Sequence, residues 1–415
     1  MTRDPPRRGT AIAWTLLDWA ASAFSTVQIT LLVAYAEKVV FADRAWGVEA
    51  GVVWAWTLAA AMLASALAAP LVAARADRTG RHVRWLLAGV ALGAGALAAL
   101  AAVPPTARLA VAACVVAANV GFDLAAIFTA SLLARTASGR AADWLSAAGF
   151  AAGYLGGALA LVAATALVQA HDRLGLTTTG GLRAAFLLTA AWWLLFSLPA
   201  AAARFAAAPA GDHAASSGRD LLDFARALAR GGAGRHLAAA IAGAALVLGA
   251  VQTAINQFSS VALAEFHLDG PALVRLVLLV QFVALPGALA VGWLSGRAGR
   301  GAALATCVAG WIAVLVLARF VHTTGQLHAL AVLLALVLGG VQSVIRATVA
   351  GLAPADRAGA TFGLLQVATK LAGCGASLAF GAVYALAGSP RTALLALLAQ
   401  LVAGWWLVGR KHPPQ

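Results

Sequence analysis

Apolar residues in this chain come in long blocks, without the two-residue alternation of a half-buried strand. Twelve blocks stand out, at about 11–40, 49–74, 84–103, 106–134, 143–170, 181–201, 237–264, 271–296, 301–319, 325–353, 357–387 and 390–409. Each provides the roughly 20 mostly apolar residues that carry a helix across a bilayer. Pro104-Pro105, Pro271 and Ser389-Pro390 mark turns between blocks. Strands of a membrane barrel alternate and run to only about ten residues, so a barrel is excluded. The pattern predicts an all-α polytopic membrane protein with 12 transmembrane helices. The first block holds Asp18 with no cleavage motif behind it, so it is expected to remain as a span.

Composition removes the competing classes. Of 415 residues, 62% are hydrophobic and 11% charged. A soluble domain carries about 25% charged residues, so this chain cannot coat a soluble globule and needs the lipid bilayer as its partner. The net charge of +14 could suggest nucleic acid, but the basic residues are scattered between apolar blocks and form no single basic face. No nucleic-acid partner is expected. Cys114, Cys307 and Cys374 all fall inside apolar blocks and have no CxxC spacing, which fits small buried side chains. The eight histidines form no HxxxH or HExxH pattern, and no Walker-type loop occurs. The expectation is therefore no metal, no cofactor, no enzyme chemistry and no ATPase of its own.

The basic residues carry topology instead. With the N-terminus placed in the cytoplasm, 19 of the 29 Lys and Arg fall in inner segments, eight in outer segments and two within spans. Cytoplasmic loops are enriched in Lys and Arg, so both termini are expected on the cytoplasmic side of a multi-pass protein. The excess of Arg over Lys suggests a GC-rich bacterial genome, hence a bacterial inner (plasma) membrane. Residues 202–236 are not membrane-like: they are rich in Ala, Ser and charge, with Pro209, Gly211 and the run Arg219-Asp220-Leu221-Leu222-Asp223-Phe224-Ala225-Arg226. They divide the chain into a six-helix half at 1–201, a cytoplasmic linker at 202–236 and a second six-helix half at 237–415. The linker run reads equally as a surface amphipathic helix or as a plain connection.

The halves repeat. Loop 2–3 reads Arg75-Ala-Asp77-Arg78-Thr-Gly80-Arg81-His82, and loop 8–9 reads Gly296-Arg297-Ala-Gly299-Arg300. Gly153-Tyr-Leu-Gly156-Gly157 is followed later by Lys370-Leu-Ala-Gly373-Cys374. Two parallel six-helix repeats describe the major facilitator fold, and the first loop resembles that superfamily's Gly-x-x-x-Asp-Arg-x-Gly-Arg signature, with Ala73 in place of the leading glycine. Asp77, Arg78, Gly80, Arg81, Arg297 and Arg300 are accordingly the candidate cytoplasmic gate. Asp77 would pair with arginines or a helix N-terminus, and Gly80 would permit the tight turn.

A narrower likeness begins in the first span. Leu17-Asp18-Trp19-Ala20-Ala21-Ser22-Ala23-Phe24-Ser25-Thr26 resembles the Tyr-Asp-Trp-Ala-Asn-Ser-Ala-Phe-x-Thr opening of the vacuole effluxer family, the autophagy-related vacuolar amino-acid permeases and their bacterial relatives. Gly249-Ala-Val251-Gln252-Thr253, Gly339-Gly340-Val-Gln342-Ser-Val-Ile-Arg346, Lys370 and Gly388-Ser389-x-Arg391 resemble further family segments. Ala21, Leu248 and Ile345 depart from the family's Asn, acid and Ser.

Four ionisable residues fall well within spans, away from their ends: Asp18, Asp123, Arg346 and Lys370. Each costs about 2.5–3.5 kcal/mol or more in lipid, so each should face protein or a water-filled cavity. Each has a polar neighbour four residues away on the same helical face: Ser22, Asn119, Gln342 and Gln366 respectively. Gln252 and Asn256 make a similar stripe. The family resemblance implies that the helices bearing the charges line a central cavity. These ten residues are the candidate solute or proton site, and the alternative, structural ion pairs, stays open. The leading expectation is a monomeric secondary active transporter of a small polar solute, with an amino acid or other zwitterion as the first candidate and protons as the candidate coupling ion. A proton-coupled exporter of another metabolite or drug, and a non-transporting membrane sensor or assembly protein, are the alternatives.

Overall fold

A computed structural model of the chain describes residues 8–42, 44–136, 139–203, 205, 226, 228, 232–352 and 358–409. The regular structure in them is helical. Helix α1 spans Arg8–Val40, α2 Ala50–Thr79, α3 His82–Ala102, α4 Arg108–Thr136, α5 Gly139–Gln169 and α6 Thr178–Ser197. Helix α7 spans Gly232–Glu265, α10 Thr324–Leu352 and α11 Ala358–Ala387. Helix α12 starts as Pro390–Leu394 and continues as Ala396–Gly409.

Eleven described helices are long and apolar enough to cross a membrane. One of the helical segments, Gly270–Leu317, has 48 residues. At 1.5 Å per residue it would reach about 72 Å, more than twice the hydrocarbon thickness. Its backbone leaves the helical region at Gly299, with φ 85° and ψ 160°. It therefore reads as two helices, α8 (270–298) and α9 (300–317), consistent with twelve crossings.

Two compact units emerge, Met1–Val40 with Leu71–Ala215, and Phe41–Pro70 with Ser216–Gln415. In the first, α1 packs on α5 and α6, and α3 packs on α4 and α6. The second repeats the scheme, with α7 on α11 and α12, and the α8–α9 segment on α10. It also takes in most of α2, which changes unit at Pro70, a proline inside the helix.

The repeat extends to details. Gly80 and Gly299 occupy the same place in the two Arg-x-Gly-Arg runs, and both have positive φ, at 65° and 85°. Only glycine takes that conformation without a steric cost. Arg183 on α6 donates to the carbonyl of Val103 at the end of α3, at 2.7 Å. Arg391 on α12 donates to the carbonyl of Val321, just past α9, also at 2.7 Å. Each half thus uses an arginine on its last helix to hold the end of its third.

Most of the 202–236 linker, including Pro209, Gly211 and 219–225, lies outside the described residues. Adjacent tryptophans at a span end suggest an interfacial belt, and Trp405 and Trp406 are indeed exposed. Trp192 and Trp193 are not of that kind. Trp193 is fully buried and stacks on Phe24 at 5.2 Å, while Trp192 stacks on Trp19 at 5.7 Å. A side chain at Gly93 would collide with the Trp193 ring, so the small residue on α3 makes room for the indole. Cys307 and Cys374 are buried, as expected from their positions, whereas Cys114 is half-buried.

Close backbone approach holds the helices of each unit together. A Cβ at Gly249 on α7 would lie 2.7 Å from the Gly373 nitrogen on α11. Gly95 on α3 has open space around its would-be Cβ. Gly249→Leu is therefore expected to destabilise the protein by about 3 kcal/mol or more, and Gly95→Leu to be near neutral. Thermal unfolding of the purified variants in detergent checks the contrast.

Candidate functional site

In the first unit the polar stripe of α1 faces the glycines of α5. A Cβ at Gly149 would strike the Asp18 carboxylate and the Trp14 ring. One at Gly153 would sit 2.7 Å from the Ser22 hydroxyl, and one at Gly157 would sit 3.0 Å from the Ser22 carbonyl and against the Thr26 hydroxyl. Asp18, Ser22 and Thr26 are one turn apart, so a smooth glycine surface on α5 accommodates them. Asp18 is half-buried there. Trp14 fixes the same region by donating its indole N–H to the Thr129 carbonyl on α4, at 2.8 Å.

Asn119 and Asp123 are half-buried on α4. The Asn119 amide donates to the Val115 carbonyl of its own helix at 2.9 Å. The stripe read from the i, i+4 spacing is therefore present as a face, while this bond of Asn119 runs along the helix, away from Asp123.

The second unit brings more of its residues together. Gln252 donates to Asn256 at 3.2 Å along α7. Thr253 lies 3.3 Å from the Gly373 carbonyl and 3.3 Å from the Ser377 hydroxyl on α11. Ser377 in turn approaches the Met62 sulfur of α2 at 3.9 Å. Gln400 on α12 donates to the carbonyls of Leu246 and Ala372, at 3.1 Å each. Helices α2, α7, α11 and α12 are thereby tied within two turns of Lys370. Lys370 and Gln342 are half-buried, and Gln366 is exposed. The side chain of Arg346 lies outside the described residues.

The gate motif differs from a simple loop. Helix α2 runs through to Thr79, so Asp77 and Arg78 sit in its last turn, and Gly80 makes the reversal into α3. The side chains of Asp77 and Arg78 lie outside the described residues, whereas Arg81 is exposed. In the matching run, Arg297 and Arg300 are exposed, and the Arg297 guanidinium lies 5.4 Å over the Trp293 ring.

The family profile of vacuole effluxer Atg22-like proteins matches residues 134–410. The chain belongs to the vacuole effluxer Atg22-like family. It is 26% identical over 400 residues to an uncharacterized MFS-type transporter, YxiO, of Bacillus subtilis (strain 168), spanning 94% of this chain and 92% of that protein. Its fold resembles that of the human organic anion transporter MFSD10, with a TM-score of 0.69, 18% identity and 98% and 100% of the two chains covered. It also resembles a D-xylose-proton symporter, with a TM-score of 0.71, 14% identity and 96% and 97% covered. The major facilitator fold expected from the two repeats is the fold of this family member.

One family-like motif acquires a structural role. In Gly388-Ser389-x-Arg391, Gly388 has φ 65° and Ser389 caps α12. Ser389 donates to one Glu265 carboxylate oxygen at 2.8 Å, and Arg391 binds the other at 2.8 Å. The pair is 13% and 19% exposed, so the screening of a surface pair is largely missing. Arg391 also lies over the Phe266 ring at 5.0 Å. Sequence spacing does not reveal Glu265, because its partner is 126 positions away. Thr253 and Gln257 form a second i, i+4 stripe on α7, parallel to Gln252 and Asn256, and that signal was available in the sequence. Gln400 and Met62 carry no such signal. Glu265→Gln and Arg391→Met are each expected to cost about 3 kcal/mol of stability, with partial recovery in the double variant. Unfolding midpoints of the three proteins test this.

Proposed function

We propose that this protein is a secondary active transporter that moves a small polar solute across a bacterial plasma membrane by alternating access. The segregation of intramembrane charge by sign carries the reading: Asp18 and Asp123 belong to the first unit, and Arg346 and Lys370 to the second. Carboxylates suit a solute's ammonium end and cations its carboxylate end, so an amino acid or similar zwitterion fits best. The polar stripes at Ser22, Asn119, Gln252, Asn256, Gln342 and Gln366 add neutral contacts beside those charges. The distribution of Lys and Arg favours a cytoplasmic position for both termini. Asp77, Arg78, Gly80, Arg81, Arg297 and Arg300 then form the cytoplasmic gate. Protons are the proposed coupling ion, with Asp18 or Asp123 as the carboxylate that carries them, and the monomer is the working unit.

Proteoliposome transport separates these roles. Neutralising the coupling carboxylate, by Asp18→Asn or Asp123→Asn, is expected to abolish accumulation against a gradient and to spare counterflow, which needs no net proton movement. Equal loss of both, with recovery on removing a cationic partner as well, would instead mark a structural ion pair. Lys370→Ala is expected to weaken zwitterion binding by about 2 kcal/mol, roughly thirtyfold. Asp77→Asn and Arg81→Ala are expected to slow transport at unchanged membrane level. Normal rates in both gate variants would remove the gating role.

A further inference from the structure

Helix α7 carries six polar residues in nine: Gln252, Thr253, Asn256, Gln257, Ser259 and Ser260. Gln257 is fully buried, and neither its Nε2 nor its Oε1 has a hydrogen-bond partner among the described residues. Its neighbours are committed elsewhere. Thr253, one turn before it on the same face, bonds to Gly373 and Ser377, and the Asn256 oxygen accepts from Gln252. In the first unit, Gln28 on α1 shows a related feature. It is 5% exposed, its Oε1 is also without a partner among the described residues, and it opens the π-helical turn Gln28–Leu32. Such turns recur at functional sites because the widened turn re-aims side chains.

A buried amide that bonds to nothing does not hold helices together. An apolar side chain of the same length would fill the space without the desolvation cost. The amide is therefore explained by a partner that arrives from outside the protein. A carboxamide presents a donor and an acceptor side by side and carries no charge. Its best complement is a neutral group that both donates and accepts, and a bare ion leaves half of it unused.

We propose that Gln257 is a hydrogen-bonding subsite for a hydroxyl or carboxamide group of the transported solute. This inference rests on the reading of the chain as a solute transporter, and it narrows the solute to one bearing a neutral polar group beside any charges.

Two measurements test it. The first is the unfolding midpoint of purified Gln257→Met and Gln257→Leu in detergent without added solute. The midpoint is expected to hold or to rise, because an unsatisfied buried amide has been removed. A fall of several degrees in both variants would show that the amide is bonded within the empty protein and would overturn the proposal. The second is counterflow of L-serine, L-glutamine, D-xylose and glycine in proteoliposomes. A hydroxyl- or amide-bearing probe carried by the wild type is expected to lose most of its counterflow in Gln257→Met, while glycine, which lacks such a group, responds alike in both proteins. Equal transport of the hydroxyl and amide probes by variant and wild type would deny the subsite alone. A wild type that carries none of the four would deny the transport reading for these solutes, and the midpoint would still decide whether the amide is unpaired.

Discussion

Lipid is as apolar as leucine, so helices in a bilayer gain little by hiding apolar surface from it. Their assembly depends on how closely their backbones can approach and on a few buried polar bonds. In this protein the approach is made at glycine. Helix α1 rests on Gly149, Gly153, Gly156 and Gly157 of α5, and α7 meets α11 where Gly249 opposes Gly373. These contacts decide where the polar side chains end up. Asp18 and Ser22 can lie against α5 only because α5 has no side chains at those positions. Thr253 can reach the Gly373 carbonyl only because α7 and α11 are that close. The surface that packs the helices is thus also the one that positions the polar groups.

The second constraint is α2. Its first stretch, through Pro70, belongs with the second unit, and the remainder belongs with the first. Met62 meets Gly373 and Ser377, and the Trp56 indole covers Gly381, so three small residues of α11 receive two large residues of α2. Proline inside a helix removes a backbone hydrogen bond and weakens the rod at that point. If the proposed alternating-access cycle holds, this stretch is expected to undock from α7 and α11 and return. A contact made of a thioether, a hydroxyl at 3.9 Å and an indole over glycine is suited to that, because these groups carry no charge.

The fold was largely legible in the sequence, because a membrane span announces itself by length and hydropathy alone. The span boundaries were readable to within a few residues, with the eighth and ninth spans joined in one helical segment, and the Arg-x-Gly-Arg repeat pointed to two glycines that both take positive φ. Partner choice was much less legible. The i, i+4 rule places Asp18 with Ser22 and Gln252 with Asn256 on common faces, but it does not say that the first pair lies on glycine or that Asn119 donates to its own helix. The Glu265–Arg391 pair and the Gln400 bridge join residues far apart in the chain, and no local pattern encodes them. The tryptophan pair at 192–193 departs from an interfacial belt for a related reason: burial of Trp193 depends on Gly93 of another helix, which a one-helix view cannot supply.

The proposed alternating-access cycle is tested most directly at the docked stretch of α2, which it expects to part from α7 and α11 during transport. The most direct measurement introduces cysteines at Met62 and Ser377, with Cys114, Cys307 and Cys374 replaced by alanine, and joins them with an oxidant or a short bifunctional alkylating agent. Counterflow in proteoliposomes is predicted to stop when the pair is joined by disulfide and to return on reduction, because the docked stretch can no longer undock. Undiminished counterflow with the pair fully cross-linked would contradict the account.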